Sequence, residues 1–386
     1  MTRNISNAFW RSCVAVAALL VVSQQAGAQP LKGDWSMLNF NAEGQRYNPY
    51  ETALTKKSVK SLQLAWKLDI NPQARSSASS PAVVGGVLYV GSSDGNFYAR
   101  DAVTGKKLWT VKLHGIGIVD TPAVVDGIVY IPEITQPGSN LRALDAATGA
   151  TLWTAKFKEI TLGSPIVSHG LVFQDTMREQ LNALVARSGK KLWTTDILGG
   201  NESSGAPAVA NGIVYALSAY GLNAYTASTG ALLWHVDGID SLTTESSPAV
   251  TDGKVFFNTT GDVRAYDAAN GASEWVAALG PNPSGSIAVT NSRVYALDTA
   301  GVIWNYDGNT GFPTFAQGQI GQAASPTIAN GVLYAGSYNS VNTYDVKSGA
   351  LLWSAPLAAS AQTSPVVANG MVYIVAGSLY AFALKD

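Results

Sequence analysis

Short apolar runs alternate with turn-forming residues along most of the chain, as in SSPAVVGGVLYVGSSDGNFYARDAVTGKKLWTVK, residues 79–112. PAVVG is an apolar run without charge and predicts a strand buried on both faces. Gly85-Gly86 supplies the positive-φ residues of a tight hairpin turn. VLYVGS alternates as a second strand, Ser93-Asp94-Gly95-Asn96 turns the chain, and FYARD is a third strand. Thr104-Gly105 closes another turn before the outer strand KKLWTVK. The pattern is of period two throughout, with no sustained helical period.

This unit recurs. Its first strand is headed by Pro81, Pro122, Pro165, Pro207, Pro248, Ile287, Pro326 and Pro365, at intervals of 41, 43, 42, 41, 39, 39 and 39 residues. Its tail ends on Trp109, Trp153, Trp193, Trp234, Trp275, Phe315 and Trp353. A period near 40 with four strands per unit predicts the blades of a β-propeller. Eight headings face seven tails, because the last unit stops at Asp386 after three strands. SLQLAWKLD lies upstream of the first heading and puts Trp66 in the outer-strand position. The fold class is therefore all-β: an eight-bladed propeller whose last blade is closed by an N-terminal strand, which removes an open sheet edge. The ring residues Trp66, Trp109, Trp153, Trp193, Trp234, Trp275, Phe315 and Trp353 are read as docking groups between blades. Asp101 is expected to cap its turn and Gly105 to take the left-handed position.

The first 28 residues stand outside the repeat. Arg3 and Arg11 flank VAVAALLVV, an apolar core too short for a membrane span, and Ala26-Gly27-Ala28 offers a small-residue cleavage site. They are expected to be a secretory signal peptide, followed by an extension over 29–60 and the propeller over 61–386. The one cysteine, Cys13, falls inside that leader, so residues 29–386 have no disulfide, thiolate metal site or C-x-x-C-H haem attachment. They carry 23 basic and 26 acidic side chains, once Arg3 and Arg11 are taken from the chain's 25 and 26. There is no basic excess to neutralise phosphates, which argues against nucleic acid.

The tail A-x-D-x-x-T-G-x-x-x-W, carried by Ala99, Asp101, Thr104, Gly105 and Trp109 and again by Ala143, Asp145, Thr148, Gly149 and Trp153, resembles the tryptophan-docking repeat of pyrroloquinoline quinone (PQQ) propeller proteins. Trp35, Arg46-Tyr47-Asn48-Pro49, Val59, Leu62 and Trp66 resemble the opening of quinoprotein alcohol dehydrogenases. The resemblance implies two uses of the fold. Quinoprotein dehydrogenases hold PQQ and calcium on the axis, usually beneath a vicinal disulfide, with Asp, Glu and Asn on the metal. BamB-type scaffolds of the outer-membrane assembly machine are similar in length and blade number, but are lipid-anchored. Here the cysteines and the cofactor-region motifs of the dehydrogenases are missing, and Cys13 is misplaced for acylation.

The loops entering the inner strands share one face with the second-to-third-strand turns, and binding sites favour such faces. Glu133 and Asp175, with Arg178, Asp240 and Glu245, are the candidate interaction face, centred on blades 2 and 3. IPEITQPGSN, Ile131 to Asn140, is the longest second-to-third-strand loop and carries two prolines. His114, His169 and His235 have no metal-ligand spacing, and His169 stands at a turn position usually held by Asn or Asp. No Ser/His/Asp set, P-loop or dinucleotide fingerprint is visible. Trp304, outside the docking series, is read as core. These residues predict an exported, monomeric binding or scaffolding module for protein partners in the cell envelope. It would have no cofactor, no metal site and no membrane span. The alternative is a compact quinoprotein dehydrogenase that oxidises alcohols or sugars with PQQ and calcium; its catalytic residues are not named by the sequence.

Overall fold

A computed structural model describes residues 32–385, apart from 71–78, 115–119, 200–204, 240–245, 281–284, 318–324 and the single positions 93, 162, 179, 299 and 362. The expected signal peptide therefore lies outside the described residues. The chain forms eight sheets arranged as blades around an axis, each of four antiparallel strands; in blade 7 a fifth strand, Tyr47–Asn48, pairs in parallel with the inner strand Thr327–Ala329. Blade 1 shows the unit: Ala82–Val84 innermost, then Val87–Gly91, Asn96–Asp101 and the outer Lys107–Lys112. In blade 8 the outer strand is Leu62–Leu68, which pairs with Ser378–Leu384 from Leu62↔Leu384 to Leu68↔Leu379. The ring is closed by joining the two ends of the chain, as the mismatch of headings and tails predicts.

Each outer strand carries a bulge at one repeated place. Trp109 pairs with Ala99 and Lys107 with Arg100, so Leu108 is left over. The same skip falls on Leu152, Leu192, Leu233, Glu274, Thr314, Leu352 and Ala65. A bulge bends the strand and re-aims the next side chain. In seven blades that side chain is a tryptophan, which turns into the seam with the following blade.

The docking is specific. Trp109 Nε1 donates to the carbonyl of Ala146 at 3.0 Å, Trp153 to Ala186 at 2.9 Å and Trp193 to Ala227 at 3.0 Å. Trp66 reaches Ala102 O at 3.1 Å across the closing seam. Three of these carbonyls also accept a tyrosine hydroxyl from the second strand: Ala146 O from Tyr89 and Ala186 O from Tyr130 at 3.2 Å, and Ala102 O from Tyr373 at 3.1 Å; Ala268 O, the acceptor of Trp234 Nε1, likewise accepts from Tyr215 at 3.0 Å. Asp101 Oδ1 caps its turn by accepting from Thr104 N at 2.8 Å and Thr104 Oγ1 at 2.7 Å. The apolar cores lie in these seams.

The N-terminal extension lines the axis. An inner strand has its partner on one side only, so the N–H of its middle residue points inward without one. The segment from Trp35 to Asn48 visits the blades in chain order and satisfies these groups. Val83 N donates to Trp35 O at 2.8 Å, Val124 N to Ser36 O at 2.7 Å, Val209 N to Ala42 O at 2.7 Å and Val250 N to Glu43 O at 2.8 Å. Val289 N then donates to Gln45 O at 2.8 Å and Ile328 N to Arg46 O at 3.0 Å. Asn48 Nδ2 reaches Val367 O at 2.9 Å, and Met37 packs in one cluster with Val167 of blade 3. Positive φ at Asn39, Phe40, Gly44 and Arg46 lets so short a segment turn a full circle. Its ends are fastened on the side of the first-to-second-strand turns: Gly85 N donates to Asp34 Oδ2 and Gly370 N to Glu51 Oε2, both at 2.9 Å.

Candidate functional site

The opposite side of the axis carries the blade connectors and the second-to-third-strand turns. Its candidate residues divide sharply by burial. Glu133 is wholly buried and pairs with Arg142, Oε1 to Nη2 at 2.8 Å. Arg142 also donates to Lys112 O at 3.1 Å and stands 2.9 Å from His114 Nδ1. Burial lowers the pKa of Arg142, against the pull of Glu133. Glu133 is therefore an internal anchor of blade 2 rather than a contact on its face. The physical reason lies in the loop that carries it. Strands Ile128–Ile134 and Ser139–Asp145 run through most of IPEITQPGSN, leaving a turn at Thr135–Gly138. Glu133 pairs with Asn140 inside that sheet. Beside the turn, Ile134–Gly138 and Lys158–Ile160 line a groove of about 600 Å³.

Asp175 is buried as well, at the end of Leu171–Thr176 in blade 3. Burial first, and then the carboxylate of Asp120, push its pKa well above the carboxylate range. Burial likewise raises Asp120 to about 7. Asp175 Oδ2 has no hydrogen-bond partner among the described residues. Arg178 is exposed and pairs with Glu159 at 3.3 Å. Asp240 and Glu245 lie outside the described residues. Of the five candidates, Arg178 is the one described residue open to a partner; Glu133 and Asp175 are held in separate buried clusters.

The remaining polar groups of this side serve their own blades. Asp298 accepts from Val302 N at 2.8 Å and from Trp304 Nε1 at 2.9 Å. Trp304 stacks on Tyr306 at 6.2 Å and, partly buried, packs against the core cluster rather than lying within it. Asn258 donates to Gly285 O and accepts from Ser246 Oγ, both at 3.0 Å. His235 Nδ1 meets Asn223 Oδ1 at 3.0 Å, and His169 takes a turn with φ 48°. The serines before the headings link blades: Ser164 Oγ accepts from Thr121 N at 2.9 Å and Ser325 Oγ from Ser286 N at 2.8 Å. No group of three acidic, histidine or cysteine side chains suited to a metal is present among the described residues. Sequence reasoning missed Arg142 and the pairing of Asp120 with Asp175, which no local pattern signals. It also missed buried Arg46, whose pKa burial lowers to about 9 and whose Nε donates to Pro326 O at 2.9 Å.

Residues 137–291, 259–339 and 290–386 match the family described as outer membrane protein assembly factor BamB. Residues 35–116 match the glucose/ethanol/alcohol dehydrogenase β-propeller domain. A curated relative, lupanine 17-hydroxylase [cytochrome c] of a Pseudomonas species, is 28% identical over 212 residues, covering 50% of this chain and 30% of that protein. The chain thus spans less than a third of that relative's length. Among solved structures, BamB from Moraxella catarrhalis superposes with TM-score 0.70 at 17% identity, over 83% of this chain and 99% of the other. The quinohemoprotein alcohol dehydrogenase of Comamonas testosteroni gives 0.75 at 16% identity, over 92% and 81%. Likenesses at such identity establish the fold alone. No described helix is long and apolar enough to cross a membrane.

Proposed function

Because the chain belongs to the PQQ-like β-propeller family that includes BamB, we propose that it is a non-catalytic binding module for protein partners in the cell envelope. The observation that carries this reading is the outer rim of blades 1 to 4. There the bulged residues are Leu108, Leu152, Leu192 and Leu233, and each is 46–51% exposed. Four consecutive blades thus present an apolar group on unpaired edge strands, a surface suited to apolar or strand-edge contact with another protein. In blades 5 and 6 the equivalent residues are Glu274 and Thr314.

The match of residues 35–116 to the glucose/ethanol/alcohol dehydrogenase β-propeller domain favours a second reading, a PQQ- and calcium-dependent dehydrogenase. Its group would need free oxygen donors at the axial mouth. Asp298 and Asn258 are instead engaged by neighbouring groups, and Asp175 has a single unpartnered oxygen. Among the described residues that donor set does not fit PQQ and calcium. Titration of the purified chain with PQQ, with and without calcium and followed by tryptophan fluorescence, separates the two readings. Saturable calcium-dependent quenching at about 1 μM or below would replace the binding-module reading with the enzyme. Photo-cross-linking from Leu152 and Leu192 in the native envelope should capture a discrete protein partner. Leu152→Glu and Leu192→Glu should remove that capture without lowering Tm.

A further inference from the structure

One seam of the propeller is built differently from the others. In six blades the docking tryptophan pairs across the strand with an alanine: Ala99, Ala143, Ala183, Ala224, Ala265 and Ala381. Blade 7 pairs Trp353 with Thr343. Blade 6 alone replaces both the tryptophan and the small partner, with Phe315 opposite Asn305. The carbonyl that should receive the indole N–H is Val346 O of blade 7, the counterpart of Ala146 O and Gly308 O. Phenylalanine has no N–H to give. Among the described residues this carbonyl receives Asn305 Nδ2 at 3.4 Å, a long bond.

A partly open cavity of about 490 Å³ lies at this seam. Its walls include Tyr47 of the axial segment, Tyr295 and Asn305 of blade 6, and Val346 and Lys347 of blade 7, with Arg293 beside them. Asn305 is 5% exposed, and its Oδ1 has no hydrogen-bond partner among the described residues. Arg293 Nη1 is buried and also lacks a hydrogen-bond partner there; it forms a loose ion pair with Asp307 Oδ2 at 4.0 Å. A buried polar atom without a partner is costly, and a ligand able to pair with it recovers that cost. The volume falls in the range of small-molecule sites, about 300–1,000 Å³.

We propose that the seam between blades 6 and 7 binds a planar aromatic acid that carries an N–H donor. The ring enters the cavity between Tyr47 and Tyr295, and its N–H meets Val346 O or Asn305 Oδ1. Its carboxylate faces Arg293 and Lys347. The ligand thereby supplies what the other seams obtain from tryptophan, a flat ring with one donor, and adds a charge that the two cations recognise. This site is separate from the outer rim and from the axial mouth, so it stands or falls apart from the function proposed above.

Isothermal titration calorimetry of the full chain with indole-3-carboxylate tests it. Saturable binding is expected below about 1 mM, and benzoate and indole, each lacking one recognition element, should bind about tenfold more weakly or worse. Arg293→Gln removes one cation that faces the carboxylate and should weaken binding about tenfold. If Arg293→Gln does not fold by circular dichroism, Asn305→Val serves instead and should weaken binding about tenfold. No heat at 1 mM probe, or undiminished affinity in the folded variant, would overturn the proposal.

Discussion

The indole of Trp153 lies against Gly189 of the following blade, so closely that a Cβ on Gly189 would stand 2.5 Å from Trp153 Cε3. Gly189 also has φ 68°, a backbone region costly for other residues. Glycine is thus required at this turn for contact and for conformation together. Gly189→Ala is expected to destabilise the protein by about 2–4 kcal/mol, from overpacking and strain combined. Urea denaturation followed by tryptophan fluorescence measures it. Wild-type stability would mean that the indole can swing out of the seam at no cost.

Trp66 does for the closing seam what Trp153 does within the array, but its strand comes from the other end of the chain. A chain lacking residues 1–70 loses both this strand and the axial segment. It leaves inward N–H groups unsatisfied in several blades and should fail to give a cooperative melt. Trp66→Ala keeps the strand and removes the ring, at an expected cost of about 2–4 kcal/mol. A truncated chain that melts like the full one would rule out closure by the N-terminal strand as a source of stability.

Much of this architecture is legible because it repeats. A tryptophan or glycine recurring about every 40 residues states its structural role seven times over, and the eighth tail is found by its absence. The axial segment is hidden for the opposite reason. Residues such as Ser36, Ala42 and Glu43 bond through backbone carbonyls, which any sequence offers, so no hydrophobic period marks them. The candidate face was harder still. Glu133 and Asp175 look like loop charges in the sequence, yet both strands extend past them and bury them. Their fate is set by distant partners, Arg142 on another strand and Asp120 in a blade connector, and the chain does not advertise such pairings.

Asp120 and Asp175 make stability depend on pH with a definite sign. Both have folded-state pKa values raised above the unfolded value of about 3.9, Asp120 to about 7 and Asp175 well above the carboxylate range. The unfolded chain releases these protons first. Their unfavourable contribution is therefore absent below about pH 4, grows as pH rises towards the folded values, and is then constant. Asp175→Asn should raise Tm at pH 8 and leave it unchanged near pH 4. Asp120→Asn should behave alike, and the double variant should gain less than the sum because the two acids repel each other. A Tm gain that persists at pH 4 would assign the effect to packing instead.

The Glu133–Arg142 pair carries the opposite lesson about buried charge. Both side chains are removed from water, and each is the other's main compensation. Arg142→Met leaves a wholly buried carboxylate facing only His114 and should cost about 3–5 kcal/mol. Glu133→Gln leaves the guanidinium its bond to Lys112 O and should cost less. Replacing both residues with apolar side chains should recover much of the loss, because the desolvation of two charges disappears along with their attraction. A double-mutant cycle by chemical denaturation gives the coupling directly. A coupling near zero would mean that water reaches the pair and screens it, and the turn at Thr135–Gly138 would then have to open far more readily than its strand pairing implies.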